Sequence, residues 1–388
     1  MTAVKGKDRI VLIENGKIAD ENAEKIPTGA ELYNFSDDFV LPAFIELHAH
    51  GGGGYDFIDG TDESFEKILG THLSHGVATL CPTLCACDFD STLKFLGYCE
   101  SVSNESFAGV HLEGPFLSKK MCGAQNLSYI VEPTREMAEA LEGHSDVIAR
   151  ITAAPEIPGV LKLAGRLAGR KVSFSIGHSD CDAKLAREAV ESGFSSVTHL
   201  FCSTPGRHKD KSFVVGGLIE EALINDSLFV ELIGDGHHVC RESLILTEKC
   251  KSAGKIAIVS DAMRAAGTGK SNLADDDEVT ESYLGAKLPG NRVIIEGGVA
   301  KLPDRSSFAG SLAVGDTMVR ALCGKYRLPL GKVSEMMSKT PAKILGLSDR
   351  GEIKKGLRAD LTILDRDYST KAVFRAGKLV YTRKDSEC

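Results

Sequence analysis

Short apolar runs and helical stripes alternate along most of this chain, and both ends carry β-type patterning. Near the N-terminus, Ile10-Val11-Leu12-Ile13 is followed by Asn15-Gly16 and then by Lys17-Ile18. Asn-Gly between apolar runs predicts a β-hairpin, because both residues tolerate the positive φ of a tight turn. The C-terminus repeats the style. Leu361-Thr362-Ile363-Leu364 reads as a strand, and Ala372-Val373-Phe374 and Lys378-Leu379-Val380-Tyr381 flank Arg375-Ala376-Gly377. The two ends are expected to form one small β-sandwich domain, residues 1–42 and 348–388, with residues 43–347 inserted between them.

Between the ends the period changes. From Thr61 to Gly76, Phe65, Ile68, Leu69 and Leu73 recur at helical spacing, with Asp62 and Glu63 near the start. Acidic residues favour a helix N-terminus and glycine a helix end. A strand follows at Val77–Leu84. Val160 to Gly169 and Ala183 to Gly193 are predicted helices that also stop at glycine. Apolar strands end at His111-Leu112-Glu113, Ala154-Pro155-Glu156, Ile176-Gly177-His178, Val197-Thr198-His199, Ile233-Gly234-Asp235 and Val259-Ser260-Asp261. Repeated βα units predict an α/β protein with a parallel sheet, most economically a (β/α)8 TIM-type barrel. The 388 residues leave room for such a barrel, about 250 residues, and a small second domain.

Composition narrows the class. The net charge of −8 argues against non-specific nucleic-acid binding. No apolar stretch approaches the ~18 residues of a spanning helix, and the first twenty residues lack a secretory apolar core. A cytoplasmic protein with no membrane or nucleic-acid partner is expected. The 11 cysteines are scattered and odd in number, without a Cys-x-x-Cys pair, so a zinc ribbon or redox motif is not expected. Most should be small buried hydrophobes.

The candidate chemistry begins at His48 and His50. They end the apolar run Phe39–Leu47 and lead into Gly51–Gly54. Residues i and i+2 of a strand face the same side, so both imidazoles can reach one ion. Alone, the pair equally describes two surface histidines. Glu113, His178, His199 and Asp261 change the balance, because each also closes an apolar strand. Barrel active sites lie at those C-terminal strand ends. The sequence steps from His50 to Glu113, Glu113 to His178 and His199 to Asp261 are long, and the step from His178 to His199 is short. That fits ligands on strands 1, 3, 5, 6 and 8. Imidazole and carboxylate suit zinc, with iron or manganese as alternatives. One or two divalent ions are expected, and two sharing Glu113 is the economical arrangement for so many ligands.

With these residues in place the chain resembles a known family. His-Ala-His after an apolar strand, HLEGPF (111–116), TAAPE (152–156), GHS (177–179), THLF (198–201), GDGHH (234–238) and SDAM (260–263) are similar to the amidohydrolase superfamily. Within it they resemble the N-acetylglucosamine-6-phosphate deacetylases, as do FAGS (308–311), TPAKILGL (340–347) and GEIKKGLRADLTILD (351–365). The resemblance implies hydrolysis of the acetamide of an N-acetylated amino-sugar phosphate by a metal-activated water. Asp261 would take the proton from that water and pass it to the leaving amine. Glu113, His178 and His199 would hold the principal metal, and His48 and His50 a second. A homodimer is implied on the same grounds.

Departures from the family fall on the substrate side. The family usually has a histidine where Gln125 stands, and Asn-Ala-Met where Cys202, Ser203 and Thr204 stand. An arginine that reaches the phosphate, typically from a neighbouring subunit, aligns near Asp210, where Arg207, His208, Lys209 and Lys211 keep the segment basic. Gly114, Gln125, Cys202, Ser203, Arg207, His208, His238 and Ala309 are the expected substrate-binding residues. His111, two residues before Glu113, is expected to pack in the barrel or support a ligand. His72, His75, His144 and His237 are expected to do no chemistry. Two other readings stand beside this one. The same chemistry could act on another N-acetylhexosamine 6-phosphate, an unphosphorylated N-acetyl sugar or an N-acyl amino acid. Alternatively the chain could be a non-catalytic metal-binding barrel.

Overall fold

A computed structural model describes residues 1–269 and 279–384. The two chain ends build a pair of four-stranded sheets. One is entirely N-terminal, in the spatial order Lys17–Asp20, Ile10–Glu14, Thr2–Lys5, Glu31–Asn34. Its hairpin turns through Asn15 (φ 52°) and Gly16 (φ 76°), as the Asn-Gly signal requires. The other orders Lys378–Thr382, Thr370–Arg375, Leu361–Leu364 and Phe39–Pro42. Phe39–Pro42, antiparallel to Leu361–Leu364, is the N-terminal strand that joins the C-terminal sheet. Val4, Val11, Ile13, Val40, Leu361, Ile363 and Phe374 form the apolar layer between them.

The middle of the chain forms an eight-stranded parallel sheet: β1 (Phe44–Ala49), β2 (Val77–Leu84), β3 (Val110–Glu113), β4 (Ile148–Ala153), β5 (Ser173–Ile176), β6 (Phe194–Val197), β7 (Phe229–Ile233) and β8 (Ile256–Val259). The strands pair in sequence order. Asp261 N donates to His48 O at 2.9 Å and His50 N to Ala262 O at 2.8 Å, which brings the last strand back to the first. The barrel expected from the βα alternation is therefore the fold. Helices occupy Asp62–Ser74, Val160–Leu167 and Ala183–Glu191. Each stops two residues before its predicted terminal glycine, and Gly76, Gly169 and Gly193 take left-handed φ angles beyond it. Thr61 and Asp182 cap two of the three N-termini. Sequence patterning did not reveal a small antiparallel sheet after β8, made of Thr280–Tyr283, Arg292–Glu296 and Val299–Lys301.

The barrel interior is unusually polar. Thr152 of β4 reaches Thr198, just past β6, at 2.8 Å, and Thr198 donates to Ser175 of β5 at 2.6 Å. Arg150 of β4 contacts Glu231 of β7 across the barrel. Barrels of this type are generally filled with Val, Ile and Leu. No helix among the described residues is long and apolar enough to cross a membrane. The ten described cysteines are free.

Candidate metal centre and active-site cleft

Glu113 is the hub of the site. Its Oε1 lies 3.3 Å from His48 Nε2, 3.1 Å from His178 Nε2 and 3.0 Å from His199 Nε2, and its Oε2 lies 3.3 Å from His50 Nε2. Asp261 Oδ1 stands 3.1 Å from His50 Nε2 and 3.5 Å from His48 Nε2. All six side chains are nearly or fully buried. Two triads share the carboxylate: His48, His50 and Glu113, and Glu113, His178 and His199. Ligands about 2.1 Å from a tetrahedral ion lie about 3.4 Å from one another, which is close to the spacing here.

Backbone geometry aims these groups. His48 and His50 lie on or just past β1 with the i, i+2 alternation of a strand. His178, His199 and Asp261 follow their strand ends with left-handed φ of 48°, 30° and 51°, which non-glycine residues rarely adopt. Such conformations persist where surrounding structure enforces them, and they cluster at functional sites. Of the glycines after His50, Gly51 is fixed by space: a Cβ there would meet Tyr55 O at 2.2 Å.

Neighbours fix several ring orientations. His178 Nδ1 lies 3.0 Å from Met121 O, a hydrogen bond that puts its proton on Nδ1 and turns the Nε2 lone pair toward Glu113. His50 Nδ1 lies 3.0 Å from Cys85 Sγ. Burial opposes charge on Glu113, yet His48, His178 and His199 hold its carboxyl well below the usual range. Burial likewise opposes a charged His48, but Glu113 and Asp261 lift it to about 9. Asp261 is lowered against its burial by His48 and His50. Imidazoles and carboxylates thus stabilise one another's charged forms within the buried pocket.

The cluster forms the floor of a cleft of about 310 Å³. Gln125, Cys202, Ser203 and His238 line it, as does Phe308. His238 Nδ1 is 2.7 Å from Asp235 Oδ2, and its ring packs on Phe308 at 4.5 Å between centroids. Gln125 reaches the cleft with both ends of its amide engaged, to Glu113 and to the Ala86 N–H. Four expected substrate residues lie elsewhere. Gly114 directly follows Glu113, its N–H donating to Thr152 O at 3.1 Å, and is not among the residues that line the cleft. Ala309 is fully buried in a small apolar cluster with Met263, Leu284 and Val293. Arg207 and His208 are exposed at the start of the hairpin His208–Asp210/Phe213–Val215 and do not line the cleft. Residues 207–214 of this hairpin are exposed throughout.

Sequence reasoning passed over three residues of the site. Phe308 opens the FAGS run. Cys85 directly follows β2, at the barrel end where site residues gather. Glu231 left no signal, being one acidic residue inside an apolar strand. His111 proves to be packed in the barrel, with Nε2 2.7 Å from Thr152 Oγ1 and Nδ1 3.1 Å from Thr83 Oγ1.

The model of the amidohydrolase family matches residues 39–380. The chain belongs to the amidohydrolase family. Among its relatives, the N-acetylglucosamine-6-phosphate deacetylase of Lysinibacillus sphaericus is 32% identical over 381 residues, covering 95% of this chain and 92% of that protein. A deacetylase of the same name from Mycobacterium smegmatis, solved as a mutant in complex with N-acetyl-D-glucosamine-6-phosphate, superposes with a TM-score of 0.86. Its identity is 25%, with 98% of this chain and 99% of that one covered. The enzyme of that name from Thermotoga maritima gives a TM-score of 0.83 at 28% identity, with 99% of each chain covered. As an amidohydrolase the chain is a metal-dependent hydrolase, and its imidazole and carboxylate donors fit a divalent ion.

Proposed function

We propose that this amidohydrolase removes the acetyl group of N-acetylglucosamine 6-phosphate, giving glucosamine 6-phosphate and acetate. The observation that carries the reading is the convergence of His48, His50, His178 and His199 on Glu113, with Asp261 beside them. The deacetylases similar over nearly the whole chain support the substrate.

Glu113, His178 and His199 would hold one divalent ion, and His48, His50 and Glu113 a second, zinc being the expected metal. A divalent ion bound there lowers the pKa of a water toward neutrality and polarises the amide carbonyl. The protein supplies the rest. Asp261 Oδ1, 3.1 Å from His50 Nε2 and 3.5 Å from His48 Nε2, stands beside the ion site, where the carboxylate can accept a proton from the attacking water. The same carboxyl then protonates the leaving amine, so the proton balance closes on one residue. His238 lines the cleft with its Nδ1–H donated to Asp235, which leaves Nε2 to accept from a substrate hydroxyl. Phe308 and Leu284 supply apolar wall for the sugar and acetyl group.

A homodimer is the expected assembly. Phe213 and Val214, 77% and 59% exposed at the hairpin tip, give a surface suited to it. Free cysteines suit a cytoplasmic location. A second reading, deacetylation of a related N-acyl substrate, is favoured by Cys202 and Ser203 in the cleft, where the family has Asn-Ala. Comparing acetate release from phosphorylated and unphosphorylated N-acetylhexosamines separates the two. The first reading requires that loss of the phosphate raise KM strongly, and equal KM values would favour the second.

A further inference from the structure

Beneath the cleft, the barrel holds a charged pair that the chemistry above does not use. Arg150 on β4 and Glu231 on β7 are both 0% exposed, and Arg150 Nη2 donates to Glu231 Oε1. Glu231 Oε2 has no hydrogen-bond partner. It faces His48 Nδ1, 3.6 Å away, which has none either. His111 packs edge-on against His48 at 4.7 Å between ring centroids, but both its nitrogens are engaged by Thr83 and Thr152. Glu231 is therefore the acidic group placed to meet the back of the His48 ring.

A buried ion pair is weak evidence for stability, because packed apolar residues of similar volume often serve as well or better. Arg150 and Glu231 stand where barrels generally carry branched aliphatic side chains. A ligating imidazole, however, gains from a carboxylate behind it, which selects the tautomer and strengthens the ring as a donor. The main chain at His48 is held separately, its N–H donating to Glu46 Oε1 at 2.9 Å. Glu231 is thus free to act on the ring alone.

We propose that Glu231, held by Arg150, is a positioning residue that keeps the His48 proton on Nδ1 and turns its Nε2 lone pair toward the ion site formed with His50 and Glu113. The inference rests on the divalent-ion reading of this site. Glu231 touches neither substrate nor reacting atoms and acts only through His48.

The test uses the full chain, stripped and reloaded with cobalt, with ion content and visible absorption followed against a competing chelator. Glu231→Gln removes the charge behind His48. The double variant Arg150→Met/Glu231→Leu removes both charges and remains interpretable if the single variant fails to fold. We expect either variant, once folded, to bind the ion at His48 and His50 about 10–100-fold more weakly. The ion at Glu113, His178 and His199 should be held as in the unmodified chain. KM should stay constant while kcat falls and recovers with excess metal. A folded variant with unchanged affinity at the His48 site overturns the proposal. If His48→Ala loses no ion relative to the unmodified chain, the two-ion reading falls and this inference with it.

Discussion

Gln125 is tied to Glu113 by a short hydrogen bond, Nε2 to Oε2 at 2.5 Å, while its Oε1 accepts from the Ala86 N–H at 2.9 Å. The amide therefore spans from the end of β2 to the metal-site carboxylate. With both ends occupied, its main effect is on the orientation of Glu113. Gln125→Leu should leave the Ala86 N–H buried and unpaired, costing about 1–3 kcal/mol of stability. It should also free the Glu113 carboxylate and weaken ion binding. Thermal denaturation and metal titration of the variant check the two effects separately.

Asp261→Asn keeps the shape of the side chain and an oxygen near His50 but removes the proton acceptor. Metal content should remain near that of the unmodified chain. Turnover should fall about 10²–10⁴-fold, the usual contribution of a general acid–base group. Metal analysis and initial rates on the same preparation decide it. Retained turnover would remove Asp261 from the proton transfer.

Gly177 precedes His178 without needing a positive φ. Its role is space, since a Cβ there would lie 2.6 Å from Thr152 Cγ2 and 2.8 Å from Thr198 Cβ. Gly177→Ala should overpack the barrel at the cost of about 1–3 kcal/mol and displace His178. A lower Tm together with weaker ion binding is the expected pair of results.

Asp316 ties the first barrel helix to the C-terminal strands, accepting from His75 Nδ1 at 2.9 Å and from the Thr370 N–H at 3.0 Å. Burial opposes its ionisation, yet these donors lower its pKa below the ordinary value near 4. Its stabilising contribution is therefore complete above about pH 4 and is lost as the pH falls through the lowered folded-state value. Asp316→Asn should lower Tm at neutral pH, and the difference from the unmodified chain should shrink in acid below pH ~4. A difference that stays constant down to pH ~2 would contradict this role.

The barrel and the six residues at its mouth were legible because each lies where strand periodicity breaks at a polar side chain. Val77–Leu84 carried its own boundaries, and Asn15-Gly16 its own turn. What stayed hidden depended on contacts across the fold. Glu231 acquires its environment only when β7 faces β1 and β4, and Gln125 only when its loop closes over Glu113. Gly114 and Ala309 sit inside recognisable motifs, where only the fold shows that Ala309 is fully buried and that the Gly114 N–H is given to Thr152. Arg207 and His208 lie on an exposed hairpin outside their own chain's cleft, a placement that the charge of the segment does not reveal.

The central claim is that this cleft cleaves an N-acetyl group from an amino-sugar phosphate. Its most direct test is acetate release from N-acetylglucosamine 6-phosphate by the metal-replete chain, with free amine counted in parallel. The account predicts saturable release of acetate and amine in equal amounts, abolished by chelation, restored by divalent metal and nearly absent in Asp261→Asn. No acetate from a folded protein carrying its full complement of metal would contradict it.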